Sequence, residues 1–200
     1  MSGLIRNPGA FVVYVLVSSI TPGPNNLMLA TIGVTKGPRQ ALRSAAGVSV
    51  GWGMQIAVCG VGLVAIIRAV PWLRSVIEGL AIAYLLWLAW KLWRADHLGE
   101  AVPSLGFWGA IGFQWANPKA LTMSLTTSGL FVVPSAHGLH GPSVAAVSLA
   151  AVALNYPCVS AWGLAGSSMA SRLAEPRAIR RFSRACSVVL VALVVWLLVA

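Results

Sequence analysis

Long apolar stretches separated by short basic loops run through the whole chain. Between Arg6 and Lys36 there are 29 consecutive residues without Asp, Glu, Lys or Arg, and between Lys119 and Arg172 there are 52. Because about 20 apolar residues in a helix cross the hydrocarbon core of a bilayer, this pattern predicts an all-α integral membrane protein. We place six spans near 9–33, 44–67, 72–94, 106–133, 143–166 and 183–200.

The distribution of basic residues predicts the orientation of these spans. Ten Lys and Arg residues fall in the loops 34–43, 91–105 and 167–184, and three fall in the loops on the other side. The positive-inside rule places the richer side in the cytoplasm, so both termini face outward. The last span has only 16 residues after Arg184, which leaves a five-span chain open as an alternative.

The composition excludes several classes of protein. Of the 200 residues, 58% are hydrophobic and 9% are charged, with only four Asp and Glu against a net charge of +10. In soluble domains about a quarter of the residues are charged. The composition therefore excludes a cytosolic enzyme, a disordered chain and a nucleic-acid binder. The excess of basic residues suits loops that lie against anionic lipid.

Proline interrupts two of the predicted spans at corresponding places. The first span contains TPGPNN at 21–26, and the fourth contains WANPK at 115–119. The chain is predicted to be one transporter domain of two repeats, about 1–100 and about 101–200, and three spans in each repeat would insert in opposite orientations. A lone proline in a membrane helix usually marks only a kink, whereas paired interruptions in inverted halves indicate a transport site.

The interruptions predict where a substrate binds. Pro22, Pro24 and Pro118 lack the N–H that a helix needs, and Gly23 allows the backbone to leave helical angles. The freed backbone groups must line a cavity rather than face lipid. A helix N-terminus there suits a carboxylate, and exposed carbonyls suit an ammonium group. The predicted substrate-binding residues are Pro22, Gly23, Pro24, Asn25, Asn26, Asn117, Pro118, Lys119 and Asn155.

Two charged residues in the spans are candidates for proton coupling. Lys119 lies mid-span, where ionised side chains usually face cavities, so it is expected to hold a substrate carboxylate or to carry a proton. The alternative is that it extends to an interface. Glu78 is a second proton-coupling candidate, although its position four residues after Arg74 favours an interfacial ion pair.

The second and fifth spans carry further backbone signals. Gly47 and Gly51 form a G-x-x-x-G pattern, which predicts close helix packing. Pro157 follows Asn155 by two residues, and this pair predicts an interruption of the fifth span with Asn155 at the cavity.

The proline motifs and their surroundings resemble the LysE/RhtB family of amino-acid exporters. The resemblance is carried by TPGPNN at 21–26, KGPRQALRSAAGVSVGW at 36–52, AYLLWLAWKLWRA at 83–95 and GFWGAIGFQWANPKAL at 106–121. The chain most resembles the branch that exports cysteine, O-acetylserine and related small neutral amino acids. It departs from the family pattern at Ala81 and Ala89, where glycine is common, and in the end of the fourth span.

The resemblance implies a multi-pass protein of the inner membrane that exports amino acids by antiport coupled to the proton motive force. With the broken spans it predicts a secondary active exporter that works by alternating access, with no cofactor, metal site or nucleic-acid partner; a homodimer is left open. The rival interpretations are an exporter of another solute such as a metal cation, and a noncatalytic membrane scaffold. An enzyme is not expected, because the sequence contains no nucleophile–base motif.

Overall fold

The computed structural model of the chain is helical. It describes residues 3–63, 105–133 and 141–170 continuously, and single helical residues between 72 and 94 and between 178 and 195. The helices with defined bounds are α1 (Pro8–Ile20), α2 (Pro24–Lys36), α3 (Pro38–Val58), α4 (Phe107–Ala116), α5 (Pro118–Phe131) and α6 (Gly141–Ser168). A π-helical turn, Cys59–Leu63, continues α3.

The two predicted interruptions are confirmed. Residues 21–23 separate α1 from α2, and Asn117 alone separates α4 from α5. Pro24 and Pro118 each occupy the start of the following helix, where a missing N–H costs nothing because that group has no partner within the helix. The prolines therefore stop one helix and begin the next.

Two described helices are long and apolar enough to cross a membrane. They are Pro38–Gly62, with 25 residues, and Gly141–Ser168, with 28. The interrupted spans consist of shorter helices, of which α1 is apolar. The predicted third and sixth spans lie largely outside the described residues, and so does Glu78.

Polar and apolar side chains are distributed as in a protein surrounded by lipid. Gln55, Gln114 and Asn117 are at most 1% exposed, whereas Leu149 is 70% exposed and Trp108 is 80% exposed. Burying uncharged polar side chains requires hydrogen-bond partners inside, and a large apolar exposed surface is uncommon on a soluble protein. The interior between the helices is consequently the place to look for chemistry.

Glycines allow the helices to approach backbone to backbone. A Cβ atom on Gly47 would strike the carbonyl oxygen of Phe107, and one on Gly51 would come within 2.8 Å of Cγ of Gln114. The close packing predicted from the G-x-x-x-G pattern is thus confirmed, and its partner is α4. On the other side of the molecule, a Cβ on Gly166 of α6 would strike the backbone of Ala30 in α2.

The predicted interruption of the fifth span is wrong. Helix α6 continues through Pro157 from Gly141 to Ser168. A helix survives one internal proline when its surroundings support the freed groups, and α6 packs against both α2 and α3. The break at Asn117 differs in the role of the asparagine, because the Asn117 side chain caps the next helix, whereas the Asn155 side chain bonds to Ser19 and Ser49 in other helices.

Candidate functional site

The two interruptions meet at one small cavity. It has a volume of about 20 Å³, which is room for about one water molecule and not for an amino acid. The cavity is therefore too small to hold the substrate as it stands. Six of the nine predicted substrate-binding residues line the cavity, namely Gly23, Asn25, Asn26, Asn117, Lys119 and Asn155. Pro22, Pro24 and Pro118 shape the breaks without lining the cavity.

Side chains near the first break satisfy the carbonyls at the end of α1. The Asn26 amide Nδ2 donates to the carbonyls of Ser19, at 2.9 Å, and Thr21, at 2.8 Å. The Thr21 hydroxyl donates to the carbonyl of Ser18 at 2.9 Å. The last carbonyls of a helix lack partners within it, so these bonds make a stable end for α1 inside the protein.

Each break also takes a hydrogen bond from a helix of the other half of the chain. Trp162 of α6 donates its indole Nε1–H to the carbonyl of Ile20 at 3.0 Å. Gln55 of α3 donates its Nε2–H to the carbonyl of Gln114 at 2.7 Å. Each of these two carbonyls lies four residues before a proline, so in an unbroken helix it would face the N–H that proline lacks. The side-chain donors replace these missing groups.

Lys119 extends from the second break to the first. Its ammonium Nζ donates to the Thr21 carbonyl and hydroxyl, each at 2.9 Å, and to the Pro22 carbonyl at 3.3 Å. These partners are uncharged oxygens, and all four acidic residues of the chain lie outside the described residues. Within the described structure, the positive charge of Lys119 therefore has no anion beside it.

Asn117 connects the two breaks through its amide group. Its Oδ1 accepts from the backbone N–H of Lys119 at 3.1 Å and caps α5. Its Nδ2 donates to Oδ1 of Asn25 at 2.7 Å, and Nδ2 of Asn25 donates to Oε1 of Gln114 at 3.2 Å. Because a backbone N–H can only donate, the cap fixes the orientation of all three amides.

Two replacements of Asn117 should distinguish the stability that comes from its cap on α5 from the stability that comes from its hydrogen bond to Asn25. Asn117→Ala removes both functions, and we expect the free energy of unfolding to fall by about 1–3 kcal/mol, from a lost cap and a lost hydrogen bond. Asn117→Ser keeps a capping oxygen and loses only the bond to Asn25, so it should recover most of that stability. Melting temperatures of the two variants in one detergent test this order, and equal losses would contradict it.

Asn155 connects three helices at the wall of the cavity. Its Nδ2 donates to Oγ of Ser19 in α1, and its Oδ1 accepts from Oγ of Ser49 in α3, both at 2.8 Å. Sequence reasoning placed Asn155 at the cavity but missed the two serines, because small hydroxyl residues are common in packed membrane helices. It also missed Trp52, which lines the cavity from α3.

The N-terminus of α2 has no side-chain cap, whereas that of α5 is capped by Asn117. No side chain caps α2, which begins at Gly23 and Pro24 beside the cavity. The backbone leaves helical angles at Gly23, with φ −177° and ψ 176°, but this extended conformation is open to other residues as well. The role of this glycine is space, because a Cβ there would lie 2.9 Å from Cδ and 3.2 Å from Nζ of Lys119.

The arrangement suits an anion and a cation at adjacent positions. Lys119 Nζ and the partial positive charge of the α2 N-terminus meet at Gly23, and the carbonyls of Thr21 and Pro22 lie beside them. Among the residues that the structure describes, no three His, Cys, Asp or Glu side chains come together as a metal site would need. These groups have the charges that the carboxylate and the ammonium of a small zwitterion would need.

A small cavity lined by asparagine and lysine side chains at the meeting point of two interrupted helices is typical of a transport protein with discontinuous helices. The chain belongs to the LysE family of translocators. The model of that family, described as LysE type translocator, matches residues 16–200.

Several curated relatives match almost the whole chain. A cysteine/O-acetylserine efflux protein of Salmonella paratyphi A is 30% identical over 190 residues, which cover 94% of this chain and 93% of the relative. The Salmonella typhimurium protein of the same name is 30% identical over 191 residues, with the same coverage of both chains. The Escherichia coli K12 protein of that name is 28% identical, again over 94% and 93%. No solved structure gives a significant match.

Proposed function

We propose that the protein is a secondary active exporter that carries small neutral amino acids out of the cytoplasm by alternating access. The observation that carries this proposal is the meeting of Lys119, the uncapped N-terminus of α2 and the carbonyls of Thr21 and Pro22 at one small cavity. The names of the relatives, cysteine/O-acetylserine efflux proteins, support the same substrate class.

The substrate would exchange with the bonds that close the site. Its carboxylate would bind Lys119 and the N-terminus of α2, since both are positive. Lys119 would then leave the carbonyls of Thr21 and Pro22, and these oxygens would accept the substrate ammonium. One movement of the Lys119 side chain thereby prepares both ends of the zwitterion site.

The reciprocal hydrogen bonds at the breaks support two inverted repeats, about 1–100 and about 101–200. The second repeat supplies Trp162 to the first break, and the first repeat supplies Gln55 to the second. A pseudo-two-fold arrangement predicts this exchange of donors. In the proposed cycle one repeat rocks against the other, and Asn25, Asn26, Asn117 and Asn155 remain as the polar wall.

The small volume of the cavity fits a cycle in which the site widens toward one side at a time. The bonds from Lys119 to Thr21 and from Asn117 to Asn25 cross between the two proposed repeats. Admitting an amino acid to a cavity of about 20 Å³ requires these contacts to separate. Substrate contacts would replace them, which couples occupancy to movement of the repeats.

We place the protein in the inner membrane, with the loops that carry ten basic residues in the cytoplasm. We also propose that transport is coupled to the proton motive force by antiport. Lys119 and Glu78 are the candidate proton carriers. Inward movement of one positive charge supplies about 2.3 kcal/mol per 100 mV, which corresponds to roughly fiftyfold accumulation of substrate outside.

Transport by the purified full-length chain in liposomes tests the function. Vesicles loaded with unlabelled O-acetyl-L-serine should accumulate the isotope-labelled compound by exchange, and cysteine should compete. Empty liposomes and the Asn117→Ala variant, reconstituted to equal protein, serve as controls. Folded wild-type protein that moves no amino acid would overturn the proposal, and movement of a divalent cation instead would favour the metal-export alternative. Inactivity toward both solutes would favour a membrane scaffold.

A further inference from the structure

The indole N–H of Trp52 is a buried donor with no partner. The side chain is 2% exposed and lines the cavity, yet its Nε1 makes no hydrogen bond. The indole N–H of Trp162, by comparison, donates to the carbonyl of Ile20. A buried N–H without a partner costs about 1–3 kcal/mol. Nε2 of Gln114 is a second such donor among the described residues, but Gln114 does not line the cavity, whereas Trp52 does.

The surroundings of Trp52 decide what kind of group its N–H would meet. Trp52 packs with Phe11, Val15, Ile56 and Ala120 in one buried apolar cluster. A carboxylate moved into such surroundings loses its hydration, which is very costly without a countercharge. The described cation at the cavity, Lys119, bonds instead to Thr21 and Pro22 at the first break. An uncharged acceptor is therefore the better partner for this donor.

We propose that Trp52 selects the substrate side chain, by donating its Nε1–H to an uncharged oxygen on a short side chain. The inference rests on the proposed function, and it adds a specificity residue to that site. The zwitterion end of the substrate lies at Lys119, and the side chain reaches the apolar wall where Trp52 stands. Amino acids with an ester, amide or hydroxyl oxygen at that position are preferred over hydrocarbon side chains of the same shape.

The test compares O-acetyl-L-serine with homoleucine, its hydrocarbon isostere, in proteoliposomes. The half-saturation concentration for each compound is measured in the wild type and in Trp52→Phe, which keeps an aromatic ring and removes the N–H. We expect the variant to bind O-acetyl-L-serine several-fold to about tenfold more weakly, the effect of one net hydrogen bond, and to bind homoleucine as the wild type does.

Trp162→Phe is the matched control. It removes an indole N–H that has a partner, the Ile20 carbonyl, so it should lower the melting temperature and change transport of the two compounds by the same factor. Trp52→Phe leaves no protein group without its donor, so it should fold.

The outcomes separate the two proposals. If the wild type moves neither compound, the exporter function fails and the role of Trp52 fails with it. If the wild type moves O-acetyl-L-serine and Trp52→Phe keeps the wild-type preference, only the role of Trp52 is overturned. An equal loss for both compounds in folded Trp52→Phe would assign the N–H to the shared amino-acid end, which also overturns selection of the side chain.

Discussion

Replacing Lys119 with methionine is expected to lower the rate of export about 10- to 100-fold while the protein remains folded. The ammonium is proposed to bind the substrate carboxylate, and a hydrogen bond to a charged group contributes about 1.5–3 kcal/mol. The fold should survive, since the Thr21 carbonyl keeps its bond from Asn26 and methionine fills a volume similar to that of the lysine stem.

Two further variants make the Lys119 result specific. Lys36→Met removes the same charge from an exposed position at the end of α2, away from the cavity, and should retain export. Lys119→Arg keeps the charge but presents it in a planar group, so intermediate activity is expected. Exchange rates in proteoliposomes that contain equal amounts of each variant test these expectations. A Lys119→Met rate equal to that of Lys36→Met would show that Lys119 is not part of the substrate site.

Gly166→Ala is expected to have the largest effect on stability. A Cβ at this position would lie 2.7 Å from the carbonyl carbon and 2.8 Å from Cα of Ala30. Overpacking usually costs about 1–3 kcal/mol, and the cost should reach the upper end because backbone, unlike a side chain, cannot turn aside. The contact between α6 and α2 must open, so the amount of folded protein in the membrane should fall steeply.

Gly129→Ala makes the same chemical change as Gly166→Ala, but we expect it to maintain or raise stability. Gly129 lies within α5 with nothing in reach of an added Cβ, and alanine is favoured over glycine inside a helix by about 0.5–1 kcal/mol. Monodispersity in size-exclusion chromatography and the melting temperature should therefore fall for Gly166→Ala and hold or rise for Gly129→Ala. Similar behaviour of the two variants would contradict the backbone contact.

The positions of the helix breaks could be predicted because their causes are local. Proline removes a backbone donor wherever it stands, and the helices before Pro24 and Pro118 end where the sequence indicates, with each proline starting the next helix. The prediction of a break at Pro157 is wrong because the cause there is not local. Whether an internal proline interrupts a helix depends on neighbours such as α2 and α3, and on whether the preceding asparagine caps the backbone or bonds elsewhere.

The partners of the site residues could not be predicted from the sequence. Asn117 and Asn25 are 92 positions apart, and Lys119 and Thr21 are 98 apart, so their contacts depend on how whole helices pack. The sequence marked these residues as polar groups at membrane depth. It did not indicate that most of their hydrogen bonds are made within the protein, nor that the N–H of Trp52 is left over.

The exchange of donors at the breaks constrains how the chain is made. Ile20 is synthesised long before Trp162, the donor to its carbonyl, which lies 142 positions later. The Gln114 carbonyl, by contrast, meets a Gln55 that is already in place. The N-terminal half alone therefore lacks the donor for this carbonyl, and we expect it to be less stable than the whole chain. Supplying the C-terminal half as a separate polypeptide should rescue it.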